Sequence, residues 1–125
     1  MNLTTVIQSA KLGRARKDAQ EDTCTVFAAA LYDVLVAQGV PCQMVVAESR
    51  YPLWAHSLVE VNGQYYDSMG EFSNEIYRSR AKIHPTVDTT IAYNSDTRSE
   101  CFEPEFDELY AFYVKALNKS LCRAD

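Results

Sequence analysis

Three side chains in this chain suit nucleophilic catalysis: Cys24, His56 and Asp67. A thiol attacks as thiolate, and an imidazole beside it makes the thiolate by taking the proton. A carboxylate on the far ring nitrogen holds the imidazole in place and stabilises its charge. The order nucleophile, base, carboxylate is therefore the order of an activated thiol. Each residue alone also has a plain reading. Cys24 amid Ala, Val and Phe suits a core position. His56 suits a structural strand histidine, and Asp67 a turn-associated acid. The joint order, and the elements that carry it, favour the catalytic reading.

Those elements are readable. Cys24 opens a nearly continuous apolar run to Gln38. The run predicts a helix buried between layers, with Asp22 or Thr23 as N-cap. Gly39 supplies the position after the C-cap, and Pro41 stops continuation. A thiol in the first turn lies at the positive end of the helix dipole. The Cys24 amide, free at the helix start, is a candidate oxyanion donor. Residues 42–48 and 54–61 read as strands, with Pro52 in the loop between them. Asn62-Gly63 is a strong hairpin signal. Residues 64–69 form the return strand, which Gly70 ends.

The turn dictates a register. Val61 faces Gln64, Glu60 faces Tyr65, Leu58 faces Asp67 and His56 faces Met69. Alternation puts His56, Leu58, Glu60 and Asp67 on one face. His56 and Asp67 are then diagonal neighbours, with Cα atoms ~7–8 Å apart. A one-residue slip would separate them. Tyr65 shares the His56 face. With Trp54 it is a candidate for lining a cleft, as is Tyr51.

The rest of the chain is less explicit. Leu3, Val6, Ile7 and Ala10 predict a helix over residues 3–17, weakened towards its end by Gly13. A polar connection follows at 18–23. A short helix is expected over about Glu71–Arg80. Residues 81–103 read as loops with one short strand, Thr89–Tyr93. Pro104 opens a last helix reaching about Leu121. Its stripe of Phe106, Leu109, Tyr110, Tyr113, Val114 and Leu117 is core or a partner surface.

The length of 125 residues suggests one domain, 1–125. The net charge of −5 argues against a nucleic-acid surface. The basic cluster Lys11, Arg14, Arg16 and Lys17 reads as a solvated helix face, with an acidic partner as the minor reading. No run approaches the ~18 apolar residues of a membrane span. The N-terminus lacks a secretory pattern, so a cytoplasmic protein without membrane association is expected. The four cysteines, Cys24, Cys42, Cys101 and Cys122, form no C-x-x-C pair, which favours a reduced compartment. Cys42 reads as a core residue and Cys101 as a loop residue. No cofactor is expected. A metal site built from Cys24, His56, Asp67 and His84 is the weakest alternative.

The segment Asp22-Thr23-Cys24-Thr25-Val26-Phe27, then Gly39-Val40-Pro41, then Ala55-His56-Ser57 through Asp67, resembles the transglutaminase-like and papain-like cysteine enzyme superfamily over residues 22–70. The resemblance implies an α+β fold with a central buried helix packed on a small antiparallel sheet. It places the nucleophile on Cys24, the base on His56 and the orienting acid on Asp67. Papain-like enzymes carry an oxyanion Gln shortly before the Cys. Gln20 is the candidate here, at a shorter spacing, and Gln8 a more distant one. Thr25 and Ser57 stand where transglutaminase-like proteins often have Trp. The implied activity is acyl transfer through a Cys24 thioester: amide hydrolysis, deamidation or transamidation of a protein or peptide. The alternative is a catalytically inactive protein-binding module on the same fold. It would use the C-terminal helix, with Phe106, Tyr110 and Tyr113, for its partner.

Overall fold

The computed structural model describes residues 2–20, 23–50, 53–96 and 104–124. The Asn2 side chain caps α1 (Leu3–Ser9) by accepting from the Thr5 amide at 3.1 Å. The helix expected over 3–17 is broken. Ala10 leaves helical geometry with ψ 136°, and the chain resumes as α2 (Ala15–Asp18). The break seats Leu12 in the core at 2% exposure. Thr23 occupies the N-cap of α3 (Cys24–Ala37), while Asp22 lies outside the described residues. The helix ends as expected. Gly39 N–H donates to Val36 O and Val40 N–H to Leu35 O, both at 3.0 Å, which satisfies the last carbonyls.

Among the described residues the sheet has five antiparallel strands in the order β4-β3-β2-β1-β5. They are β1 (Gln43–Arg50), β2 (Leu53–Val61), β3 (Gln64–Asp67), β4 (Gly70–Phe72) and β5 (Ile91–Ser95). Gly70 does not end a strand but begins one, and β4 pairs back on β3 through Asp67↔Gly70 and Tyr65↔Phe72. The helix expected from Glu71 accordingly starts later, as α4 (Asn74–Arg80). Ser73 is the reason: its hydroxyl accepts from the Ile76 amide at 3.1 Å and fixes the N-cap. The strand expected at Thr89–Tyr93 lies two residues on. The final helix opens with a 3₁₀ turn over Pro104–Phe106 and continues as α5 (Asp107–Ala124).

Alternation divides the sheet's side chains between two cores. Met44, Val59 and Tyr66 face α1, α3 and α5. Val45, Ala47 and Leu58 face Phe72 and, from α4, Tyr77. Helix α3 is enclosed over most of its length, with Val26 to Leu31, Val34 and Leu35 all buried, and only its last turn, at Val36 and Ala37, is exposed. The mixed α+β class and the antiparallel sheet agree with the sequence. None of the helices is long and apolar enough to cross a membrane, among the described residues.

Candidate active site

The hairpin at Asn62 (φ 53°) and Gly63 (φ 80°) takes the positive dihedrals of a tight two-residue turn. It fixes the pairs Val61↔Gln64, Glu60↔Tyr65 and Val59↔Tyr66. One face of the hairpin then brings His56 to Asp67, with Nε2 and Oδ2 3.1 Å apart. Both side chains are almost fully buried, at 3% and 2% exposure. The carboxylate has two further donors. Arg80 Nη1 reaches Oδ2 at 2.8 Å, and the Met69 amide reaches Oδ1 at 2.9 Å. Burial alone would raise the Asp67 pKa. The hydrogen bonds and charges of His56 and Arg80 outweigh it and hold the carboxyl below its ordinary range.

Cys24 arrives from the start of α3 and is half-buried. Its sulfur lies near His56 and near the amide and hydroxyl of Ser57, each of which favours the thiolate. Ser57 Oγ also meets Thr25 Oγ1 at 3.0 Å, which ties the strand to the first turn of the helix. Burial pushes the thiol pKa up, but these neighbours and the imidazolium charge bring it down to about 7. For His56, burial favours the neutral ring, yet Asp67 and Cys24 raise it to about 9. Between those values the stable form is thiolate beside imidazolium. Since Nε2 is engaged by Asp67, Nδ1 is the nitrogen left to exchange a proton with the thiol. Thr23 makes no side-chain cap bond to α3; its hydroxyl instead meets Tyr113 Oη at 3.3 Å.

His56 forms part of the wall of a cleft of about 610 Å³, lined also by Arg16, Lys17, Gln20, Trp54, Phe72, Tyr77 and Arg80. Trp54 lies in this wall, stacked on Tyr77 at 4.6 Å and on Phe72 at 5.7 Å. Gln20 also lines it, but its amide is committed: Nε2 donates to Ser68 Oγ at 2.7 Å, and Oε1 accepts from Arg80 at 3.0 Å.

The other expected site residues lie elsewhere. Tyr65 shares the His56 face but not the cleft. Its ring stacks on Tyr93 at 4.0 Å, because β5 brings that tyrosine over the same sheet face. Tyr51 falls outside the described residues. His84 does not join Cys24, His56 and Asp67; its Nδ1 bonds Thr86 Oγ1 at 2.7 Å. Gln8 donates to Met69 O at 3.1 Å rather than approaching the thiol. The C-terminal stripe is turned toward the core. Tyr113 is fully buried against Phe27, Phe106 packs on the core and Tyr110 hydrogen-bonds Asp33.

Ser57 and Arg80 act on the site but carry no sequence signal for it. Ser57 adjoins His56 yet points to the opposite sheet face, and Arg80 is an ordinary basic residue in the last turn of a helix. Comparison with protein-family models, with curated proteins and with solved structures returns no significant match.

Proposed function

We propose that this chain is a cysteine-dependent acyl-transfer enzyme with Cys24 as nucleophile, His56 as acid and base, and Asp67 as the group that orients His56. One observation carries the reading: His56 is bonded to Asp67 at 3.1 Å, with both almost fully buried, and lies close enough to the Cys24 thiol for each to shift the other's pKa. A transglutaminase-like or papain-like ancestry for the helix-and-sheet core belongs to the same proposal. So do a protein or peptide substrate and a reducing, cytoplasmic setting, in which the thiolate stays free.

In the first step the Cys24 thiolate attacks the acyl carbon. A C–S bond forms and the carbonyl π pair moves to oxygen. Collapse breaks the C–N bond, and the leaving amine takes the proton from His56. Neutral His56 then takes a proton from water or an amine as it attacks the thioester. The C–S bond breaks, and thiolate and imidazolium are restored. The Cys24 amide at the start of α3 is the nearest candidate for an oxyanion donor. Gln20 is the weaker one, since one of its two amide hydrogens already goes to Ser68. That commitment is the observation that favours the second reading, a non-catalytic binding module.

The test is the pH dependence of alkylation at each cysteine, read by mass spectrometry. Cys24 is expected to react selectively with a midpoint near pH 7. In His56→Ala the burial penalty remains while the imidazole's share of the compensation is lost, so the midpoint moves up from about 7. A Cys24 that titrates alike in both proteins, or stays unreactive while folded, removes the enzyme reading. A partner that binds Cys24→Ala as tightly as wild type would favour the binding module.

A further inference from the structure

The cleft that opens on His56 has a composition the proposed chemistry does not require. Among the described residues, no Asp or Glu lines it, while three cations do: Arg16, Lys17 and Arg80. Arg80 is paired with Asp67. Arg16 is not neutralised in this way. Its three hydrogen bonds all end on main-chain carbonyls: Ser68 at 2.6 Å, Ala10 at 2.6 Å and Gln8 at 3.2 Å. Lys17 is exposed and has no ion-pair partner among the described residues. The chain as a whole carries −5, so this local excess of positive charge runs against the molecule's balance.

The rest of the lining is largely apolar. Trp54 is held flat against Tyr77 and Phe72 and is only partly buried, and Met69 at the rim is 40% exposed. A stacked, immobilised indole offers contact area without an ordering cost. The two parts of the lining therefore differ in what they attract. One takes a flat or bulky apolar group, and the other takes negative charge focused by a concave site.

We infer that the cleft selects an acyl donor bearing an apolar or aromatic side chain next to a carboxylate, as in an acidic peptide, with Trp54 receiving the side chain and Arg16 and Lys17 receiving the anion. This rests on the proposal that Cys24 is the nucleophile, and it names the substrate class of that site.

The experiment uses the whole chain and four reagents that alkylate a thiolate by displacing chloride. They are N-chloroacetyl-phenylalanine, its amide, N-chloroacetyl-alanine and chloroacetamide, with labelling of Cys24 followed by mass spectrometry. The phenylalanine acid is expected to label Cys24 roughly fivefold or more faster than its amide. It should also outpace the alanine acid. The preference for the acid should collapse in about 0.5 M salt, which screens charges beyond a few ångströms, and in Lys17→Glu. An acid-to-amide ratio near one overturns the inference, as does a preference that survives both salt and Lys17→Glu. If chloroacetamide itself fails to label Cys24, the nucleophile proposal falls and takes the substrate class with it.

Discussion

At the scale of single residues, the site works by offsetting burial. Three ionisable groups are held where water would otherwise be needed, and each is charged only because another is. The signs can be followed group by group. His56 rises from 6.5 to about 9, so its stabilisation is full below 6.5 and is lost as pH rises through 9. Cys24 falls from 9.0 to about 7, so its stabilisation is full above 9.0 and is lost as pH falls through 7. The ion pair is thus confined to the window between about 7 and 9. Asp67 underwrites it. In Asp67→Asn the geometry can persist while the charge that holds His56 protonated is gone. The alkylation midpoint of Cys24 is expected to move up from about 7, and turnover of any substrate found should fall roughly 10²–10⁴-fold. A purely structural Asp67 would lower the Tm and leave the midpoint of the remaining folded protein in place.

At the scale of elements, what makes the site is a strand that stops early. Pairing between β2 and β3 runs from Val61↔Gln64 to Val59↔Tyr66. Beyond it the Ser57 amide lies near the Cys24 sulfur and helps to lower its pKa. A β3 that continued would take up that edge of β2; ending it admits the start of α3. The chain leaves β3 by the Ser68–Met69 turn and re-enters as β4 at Gly70, whose φ is +112°. A Cβ there would lie 2.8 Å from Thr4 Cγ2. Gly70→Ala therefore meets both a strained dihedral and a packed helix. It should cost roughly 2 kcal/mol or more, measurable by urea unfolding. An effect within 0.5 kcal/mol, the usual range for a surface change, would mean that α1 does not press on the turn.

Much of this was legible, and the reason is physical. The Asn62-Gly63 turn sets the register by local dihedral preference, so the His56–Asp67 meeting could be worked out on paper. The Gly39 ending of α3 is equally local. What was missed depends on contacts distant in sequence. Residues 70–72 carry no strand signal of their own and pair only because β3 is beside them. Ser57 meets Cys24 across 33 positions, and Arg80 meets Asp67 across 13. The inward turn of the C-terminal stripe was open to either reading until Phe27 supplied a partner for Tyr113.

At the scale of the whole molecule, residues 2–20 act as a strap over the turn that follows Asp67. Gln8 donates to Met69 O, Gln20 donates to Ser68 Oγ, and Ser68 Oγ donates to Arg16 O at 2.7 Å. Arg16 is the knot. Its guanidinium bridges the carbonyls of Gln8 and Ala10, where the helix expected over 3–17 breaks, to the carbonyl of Ser68. The broken helix is thus put to use: an unbroken one would have satisfied those carbonyls itself and left nothing to hold the β3–β4 turn. Charge-assisted bonds to carbonyls are worth more than neutral ones, and removing their donor strands partly buried acceptors. Arg16→Met keeps the aliphatic stem and deletes all three bonds. It is expected to lower stability by roughly 2 kcal/mol. Hydrogen exchange should show the loss reaching the Met69 amide, which donates to Asp67 on the far side of the turn. If stability falls while exchange at Met69 is unchanged, the strap holds the N-terminal segment alone, and the support of Asp67 comes from β3 and Arg80.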